Sequence, residues 1–302
     1  MSTINICIPV FNYDVTNLVS SLFSQIKKID KDFKIIIFED GSEKSYCDKN
    51  AELVNKFGVI HLISDKNIGR SATRNLLADK AASGKIIFLD CDSALPDDNF
   101  INRYISNADK DVVCGGTIYL PEQKTESGSL RYKYGISREM KTAEHRNKNS
   151  NIAFTTNNFM ISWEIFKTVR FREFLKEYGH EDSLFGYELK ENNIKIFHIN
   201  NPVIHEGIES NSVFLSKTIA GLHNLKLIEQ SQFAGKDFIN DVRIVKTYHK
   251  LRKIRFDFFM VLFFNVFKNI IEKHLLFSKN PKLLFFDLYK ISYYCKIKKK
   301  EQ

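Results

Sequence analysis

Acidic residues follow two short apolar runs in the first third of the sequence. Asp40 comes directly after the run at 34–39, and Asp90 and Asp92 come directly after the run at 85–89. In an open α/β sheet, ligands bind beyond the carboxyl ends of the strands, so we expect these carboxylates at one edge. Carboxylates crowded together repel one another unless a cation or a hydrogen-bonding ligand joins them. An Asp-x-Asp turn suits Mg²⁺ or Mn²⁺ bridging the diphosphate of a substrate.

A purely local role is the alternative for the Asp-x-Asp triplet. Asp90 and Asp92 could be turn or N-cap residues ahead of Pro96, and the triplet alone favours that role. Its position directly after an apolar run, on the same expected edge as Asp40, favours a ligand site. Neither GxGxxG nor GxxxxGK[ST] follows the first run, so the main residues of dinucleotide and P-loop sites are missing. We therefore expect phosphates to be held by a metal.

The segments around these acids predict an alternating α/β order. Short apolar runs typical of buried parallel strands occupy 4–10, 34–39, 59–64 and 85–89. Helix-length segments lie between them at 15–29, 46–57 and 71–83, with Gly84 expected as the C-terminal cap of the third. Further strands are expected at 112–114, 155–162 and 194–198, and further helices at 163–169, 181–192, 212–232 and 242–254. The pattern predicts an open, mostly parallel sheet flanked by helices, followed by a helical C-terminal extension.

Composition indicates a globular chain whose positive charge is concentrated in one region. The 302 residues are 43% hydrophobic and 27% charged, which excludes a disordered or collagen-like chain. Residues 242–302 hold 15 Lys+Arg against 4 Asp+Glu, whereas the remainder holds 30 against 32. Five scattered cysteines without a CxxC pair argue against a zinc ribbon or a disulfide framework and favour a reducing compartment. Residues 1–10 show no secretory signal.

The basic region is also rich in phenylalanine, holding 9 of the 26 in the chain. Its apolar stretch at 255–267 is shorter than the ~20 residues needed to cross a bilayer. Apolar clusters flanked by lysine follow, and KIKKK occupies 296–300. This pattern favours contact with an anionic membrane surface, with Phe258, Phe259, Phe263 and Phe264 inserted. A helix pair packed on the body and a dimer interface are the alternatives, and no nucleic-acid-binding motif accompanies the charge.

Five motifs in order resemble inverting family 2 glycosyltransferases of the GT-A fold. They are PVFN at 9–12, FEDGS at 38–42, NIGRSATRN at 67–75, FLDCD at 88–92 and HED at 180–182. TTNNFMISWEIF at 155–166 resembles the strand-helix segment that precedes the last motif, so the similarity covers about residues 4–206. FED departs mildly from the family pattern, because Glu39 stands where an aspartate is usual. The resemblance implies a nucleotide-sugar-binding half at 1–110, an acceptor-binding and catalytic half at 111–210, and an extension at 211–302.

The resemblance also implies roles for individual residues of the donor side. Pro9 and Phe11 would line the base pocket, and Asp40 would accept a hydrogen bond from a uracil ring NH. Arg74 would support the base-binding side, although pairing with an acid at the sheet edge is an equal alternative. Asp90 would lie near the ribose or the metal-bound water, and Asp92 would bind Mg²⁺ or Mn²⁺ directly.

On the acceptor side, Asp182 is the expected catalytic base and Glu181 an acceptor contact. Both begin a helix of the sequence pattern, so stabilisation of the helix dipole is their alternative role. Some members of the broader fold place a histidine at the position of His205 as an additional metal ligand, and one imidazole with two carboxylates suits Mn²⁺. A surface or hydrogen-bonded role is the alternative for His205.

Together these features predict a metal-dependent, inverting transferase of the hexosyltransferase type. Its donor would be a nucleotide-diphospho-sugar, with UDP-sugar expected, and its acceptor a glycan or lipid-linked molecule of surface polysaccharide or glycolipid synthesis. We expect a cytoplasmic protein, peripheral on the inner face of the cell membrane, without a nucleic-acid partner. The alternatives are a nucleotidyltransferase, which should carry a basic, glycine-rich loop after the first strand, and a non-catalytic module that binds a sugar nucleotide or a membrane. The donor sugar and the oligomeric state are left open.

Overall fold

The computed structural model describes residues 3–299 and divides the chain into two compact units. The first comprises Met1–Tyr119, Glu139–Lys176 and Phe185–Gly207. The second comprises Leu120–Arg138, Glu177–Leu184 and Ile208–Gln302. The sheets lie in the first unit, and the long C-terminal helices lie in the second.

A seven-stranded, mostly parallel sheet forms the centre of the first unit, as the sequence predicts. Its strands, in spatial order, are β3 (Ile60–Ser64), β2 (Phe33–Asp40), β1 (Ile4–Val10), β4 (Lys85–Leu89), β8 (Asn158–Ser162), β6 (Val112–Cys114) and β9 (Ile196–His198). Strands β1 to β4 are parallel, and β8 runs antiparallel to both of its neighbours. A smaller sheet has the order β5 (Ser93–Ala94), β10 (Val203–His205) and β7 (Thr117–Ile118).

Helices cover both faces of the central sheet. Residues of α1, α2 and α4 pack on one face, and residues of α3, α7 and α8 on the other. Across residues 3–299 the α-helices of both units are α1 (Thr16–Ile26), α2 (Lys44–Phe57), α3 (Arg70–Ala81), α4 (Phe100–Ile105), α5 (Ser129–Tyr134), α6 (Ala143–Asn147), α7 (Trp163–Phe166), α8 (Glu181–Glu191), α9 (Asn211–Gln230), α10 (Lys236–Asp241), α11 (Arg243–Lys253), α12 (Asp257–Phe277) and α13 (Leu283–Lys299). A 3₁₀ turn at Pro121–Gln123 and a π turn at Gly135–Glu139 complete the helical elements. Ile6 and Ile8 pack on one face of the sheet, and Cys7 between them packs on the other. This alternation along β1 explains why the strand is apolar at every position except Asn5: both of its faces are buried. Asn5 is buried as well and donates to the carbonyl of Ser83 at 2.9 Å.

Helix α3 ends earlier than the sequence predicts, and Gly84 is not its cap. The helix ends at Ala81, and Ala82 adopts the left-handed conformation of the cap. Gly84 has a φ of 69°, and a Cβ at this position would collide with the carbonyl oxygen of Thr3. Glycine is therefore required there by the positive φ and by the close approach of β1.

In the second unit, α12 and α13 pack with α9 and α5 around an apolar core. The core contains Leu130, Phe214, Leu215, Phe264, Ile271, Leu275, Phe286 and Tyr289. The expectation that Phe264 inserts into a membrane is wrong. This side chain is 2% exposed, and its ring centroid lies 5.4 Å from those of Tyr289 and Tyr293. Phe258 and Phe259 are exposed, as that expectation requires.

Two further points concern the C-terminal extension. Across residues 3–299, no helix combines the length and the apolar character needed to cross a membrane. The last residue of the KIKKK motif, Lys300, lies outside the described residues, as do the final two residues of the chain.

Candidate functional site

Asp40, at the end of β2, holds the loop that leads into α3. Its Oδ1 accepts a hydrogen bond from the amide of Ile68 at 2.6 Å, and its Oδ2 accepts one from Gly69 at 3.2 Å. Asn67 in turn donates to the carbonyl of Asp40 at 3.1 Å. Gly41 lies against the backbone of the same loop with a φ of 74°, so the loop and strand approach more closely than a side chain would permit. Asp40 thus fixes the NIGR segment at the carboxyl edge of the sheet.

Arg74, on α3, pairs with Asp90 at the end of β4. Its Nη2 donates to Asp90 Oδ1 at 2.7 Å, and the arginine is 1% exposed. The guanidinium also lies 5.7 Å from the ring centroid of Phe171. The pairing with an acid at the sheet edge, which the sequence left as one of two possibilities, is therefore present. It places a buried positive charge beside the strand end that carries the Asp-x-Asp triplet.

Asp92 and His205 are brought together by the small sheet. Strand β10 pairs antiparallel with β5, which sets His205 opposite Ser93. His205 Nδ1 lies 3.5 Å from Asp92 Oδ2, and the amide of Glu206 donates to the carbonyl of Asp92 at 2.8 Å. A Cβ on Gly207 would overlap the Asp92 carboxylate, with 3.0 Å left to Cγ. The glycine therefore leaves room for the carboxylate beside the imidazole.

A cleft of about 340 Å³ lies beside these residues, lined by Asn12, Tyr13, Asp14, Asn17, Leu18, Tyr46, Cys91, Ser93 and Glu206. Burial, with the nearby charges of Glu206 and Asp92, raises the pKa of Tyr13 to about 12. Burial, together with Asp92 and Asp90, raises the pKa of Cys91, so this residue is a neutral thiol and not a nucleophile. Two acids line the cleft: Asp14, which pairs with Lys49 Nζ at 2.7 Å, and Glu206, which directly follows His205 in the chain.

The site can offer a metal two side-chain donors. In residues 3–299 no three His, Cys, Asp or Glu side chains are grouped as a metal site. Asp92 and His205 are adjacent and partly exposed, and an imidazole with a carboxylate suits Mn²⁺ completed by phosphate oxygens and water, whereas Mg²⁺ would use the carboxylate without the imidazole. Asp90 already engages Arg74 through Oδ1. The residues present therefore fit a metal that is bound together with a diphosphate.

The remaining donor-side residues predicted from the sequence lie at the end of β1. Pro9 is half-buried within β1, and Phe11, one residue beyond its end, is 53% exposed. A large exposed ring at the carboxyl edge of the sheet can stack on a planar base.

In the second unit, the HED motif forms a fixed turn at the start of α8. Asn224 of α9 is buried and donates to the carbonyls of Glu177 and Gly179 at 2.8 and 3.0 Å. His180 follows with a φ of 68°. Burial lowers the pKa of His180 to about 4, so this imidazole is neutral near pH 7. The turn is therefore held by a side chain from another helix, Asn224, rather than by local sequence alone.

The two acids of that turn have different environments. Glu181 is buried, whereas Asp182 is half-exposed. Asp182 Oδ1 accepts hydrogen bonds from the amide of Ser183 at 2.6 Å and from its hydroxyl at 3.3 Å. A carboxylate that is fixed in place and half-exposed can be reached by an acceptor hydroxyl and is placed to accept its proton.

Sequence reasoning missed three residues beside Asp92: Tyr13, Glu206 and Gly207. Glu206 and Gly207 directly follow His205 in the run HEG, so an acid and a glycine next to a candidate ligand were the available signal. Tyr13 directly follows PVFN, the first motif. Attention to the neighbours of each motif would have found all three.

Comparison with known proteins identifies the family of the chain. The family model described as Glycosyl transferase family 2 matches residues 5–170. No curated protein shows significant similarity to the chain.

Several solved structures share the fold. S. aureus TarS 1-349 in complex with UDP has a TM-score of 0.52 and 16% sequence identity, covering 99% of this chain and 92% of that one. Mannosyltransferase PcManGT from Pyrobaculum calidifontis, in complex with GDP-Man and Mn2+, has a TM-score of 0.58 and 9% identity, covering 98% and 85%. Glucosyl-3-phosphoglycerate synthase from Mycobacterium tuberculosis, in complex with Mg2+ and UDP, has a TM-score of 0.51 and 13% identity, covering 78% and 81%. At these identities the likeness shows the fold, which is the GT-A arrangement expected from the motifs.

Proposed function

Because the chain belongs to glycosyl transferase family 2, we propose that it is an inverting, metal-dependent enzyme that moves a hexose from a UDP-sugar to a glycan or lipid-linked acceptor. The observation that carries this proposal is the pairing of Asp92 with His205 beside an acidic cleft at the carboxyl edge of the sheet. UDP in two of the similar structures, and Mg2+ or Mn2+ in two, support the donor class and the metal. GDP-Man in one of them makes a guanine donor the first alternative to test.

On the donor side, each residue has a distinct task. Phe11 stacks on the base and Pro9 lines its pocket, while Asp40 accepts the ring NH and keeps the NIGR loop in place. Arg74 holds Asp90 in the orientation that reaches the ribose or a bound water. Asp92 and His205 hold the metal, which when bound neutralises charge on the departing diphosphate.

On the acceptor side, Glu181 orients the acceptor and Asp182 is the base. Asp182 takes the proton of the acceptor hydroxyl as its oxygen attacks the anomeric carbon, and the bond to the nucleoside diphosphate breaks in the same displacement. A single displacement of this kind inverts the anomeric configuration. Because Asp182 Oδ1 accepts two hydrogen bonds from Ser183, the orientation of its carboxylate is fixed, as a base that must meet the acceptor hydroxyl requires.

We further propose that the enzyme works in the cytoplasm, at the inner face of the cell membrane, in surface polysaccharide or glycolipid synthesis. The support is the excess of lysine and arginine in residues 242–302, which attracts anionic lipids. A lipid-linked acceptor would then be presented at the surface to which the enzyme binds.

A panel of nucleotide-sugars, assayed for Mn²⁺-dependent release of the free nucleotide, tests the function. Asp92→Asn is expected to lose metal-dependent release, because the carboxamide removes the charge that holds the cation. Asp98→Asn is the matched control, since Asp98 is an exposed acid that pairs only distantly with Lys28 at 3.8 Å. Binding of UDP without release from any donor would instead support the non-catalytic module, and unchanged release by Asp92→Asn would contradict the metal role.

A further inference from the structure

One side of helix α12 is apolar and exposed along most of its length. We name the residues Phe258, Phe259, Leu262, Val266 and Ile270 the α12 outer face. They are between 52% and 67% exposed. Their spacing of three and four residues places them on one side of the helix. Met260, Phe264, Ile271 and Leu275 are buried on the other side of α12, in the core of the second unit. The helix therefore has its packing partners on one side and presents on the other a second, mainly apolar surface, which the exposed Asn265 and Asn269 adjoin.

The size of this surface sets it apart from scattered exposed apolar residues. From Phe258 to Ile270 the helix rises about 18 Å. Single exposed apolar side chains are normal on a soluble protein, but contiguous patches mark interaction sites. No Asp or Glu occurs between Phe258 and Ile271. The α12 outer face therefore has the two properties of a docking surface: its apolar side chains are exposed, and no acidic residue interrupts them.

Basic residues lie near the N-terminal end of the α12 outer face. Arg252, Lys253 and Arg255, at the junction between α11 and α12, are exposed, and we name them the basic tip. The two apolar residues between and after them, Ile254 and Phe256, are exposed as well. At the other terminus of the extension, Lys299 Nζ lies 4.4 Å from the ring centroid of Phe258. The apolar stripe is thus flanked by cations near its N-terminal end.

We infer that the α12 outer face and the basic tip together dock the protein on an anionic lipid bilayer, with α12 lying in the plane of the interface. An apolar helix face beside lysine and arginine matches the two layers of such a surface, acyl chains below and anionic headgroups above. A second copy of the chain would fit less well, because the face between Phe258 and Ile271 contains no carboxylate that could pair with a partner's basic tip, whereas anionic headgroups supply that charge. This inference deepens the proposed setting of the enzyme by naming the residues that meet the membrane, but it does not depend on which sugar is moved.

Flotation of the full chain with lipid vesicles tests the docking surface. Vesicles of phosphatidylcholine and phosphatidylglycerol at 3:1 should bind the protein, and vesicles of phosphatidylcholine alone should bind it weakly. Raising NaCl from about 0.1 to 0.5 M screens the basic tip but not apolar insertion, so a bound fraction should persist. The double variant Leu262→Gln/Val266→Gln should lower the partition into anionic vesicles on the order of 30-fold, since each side chain would otherwise bury its exposed half.

The matched control is Leu227→Gln/Val213→Gln. It changes the same residue types at sites on α9 that are 48% and 45% exposed, against 52% and 60% for Leu262 and Val266. This variant should float like the wild type. Neutralising the basic tip with Arg252→Gln/Lys253→Gln/Arg255→Gln should remove the preference for anionic vesicles and leave salt-resistant binding.

Each other outcome overturns the inference. Equal flotation of the two double variants, or binding wholly lost in high salt, would refute insertion of the α12 outer face. Failure of the wild type to float, with a dimer in sedimentation that Leu262→Gln/Val266→Gln converts to a monomer, would assign the face to a second copy. Binding of UDP, measured by calorimetry for every variant, reports whether the donor site is intact. Loss of vesicle binding with UDP binding retained would therefore contradict the docking surface and leave the proposed glycosyltransferase activity untouched.

Discussion

Gly207→Ala is expected to abolish metal-dependent donor binding while leaving the fold intact. Gly207 has no positive φ, so alanine can adopt its backbone conformation. The added Cβ would overlap the Asp92 carboxylate and lie 3.0 and 3.1 Å from its Cγ and Cβ. The obstacle is thus a short side chain that can rotate, rather than backbone.

The expected effect of Gly207→Ala on stability is small, whereas its expected effect on metal binding is large. Turning the Asp92 carboxylate away from its rotamer costs about 0.5–1.5 kcal/mol, and replacing glycine offsets about 0.4–1 kcal/mol through the unfolded chain. The net change in unfolding free energy is therefore within about 1 kcal/mol. A carboxylate displaced on the order of 1 Å exceeds the ~0.2 Å tolerance of metal-ligand distances, so the Mn²⁺-dependent affinity for UDP should fall on the order of 100-fold.

Calorimetry of UDP with and without Mn²⁺, beside urea unfolding, measures both effects. Gly221→Ala in α9 is the matched control, because its Cβ would find the nearest atom, the carbonyl oxygen of Tyr178, at 3.5 Å. That variant should keep its affinity for UDP in the presence of Mn²⁺. Wild-type affinity in Gly207→Ala would refute the placement of a metal at Asp92, as would equal losses in the two variants.

Three further predictions follow from the same structure. Asp182→Asn should bind donor normally and lose on the order of 100-fold in kcat, because a base acts in the transition state; wild-type turnover would exclude it as base. Burial and the nearby Arg146 lower the pKa of His198 from 6.5 to about 4, so the unfolded chain takes up a proton that the folded chain does not. The contribution of His198 to the free energy of unfolding is full above pH 6.5, and on the order of 3 kcal/mol of it is lost as the pH falls to 4. Urea unfolding at a series of pH values should show this loss, and His198→Gln should make the free energy of unfolding less dependent on pH over that range. Phe264→Ala should cost about 3–5 kcal/mol of unfolding free energy, whereas Leu262→Ala on the exposed side of α12 should cost less than ~0.5; similar costs would contradict the two-sided description of this helix.

The sequence was informative wherever a local pattern carries the structural information. The first four strands are apolar on both faces, so their runs were visible in the sequence, and the observed strands begin and end within one residue of the expected bounds. Because parallel strands end at the same edge of a sheet, the placement of Asp40 and Asp90 at one edge also followed, although β1 lies between their strands. The excess charge of residues 242–302 is likewise a property of composition.

Other features could not be found in this way, because the decisive contacts join distant parts of the chain. Strands β5 and β10 have two and three residues, too few for a periodic pattern, yet their pairing sets His205 beside Asp92. The role of Gly207 depends on the same pairing. Similarly, nothing local decides whether Arg74 meets a ligand or Asp90, since both are plausible partners for a guanidinium.

Helix α12 shows the division between the two sources of information most clearly. Its sequence is apolar nearly all round, so periodicity alone gave four phenylalanines equal standing as membrane contacts. Packing against Tyr289 and Tyr293 buries Phe264, whereas Phe258 and Phe259 are exposed. By itself the sequence determined the family motifs, the acidic strand ends and an apolar, basic extension, because these are properties of composition and order along the chain. Only the tertiary structure decided which acid meets which base and which side of α12 is exposed, because burial depends on what the rest of the fold places against each side chain.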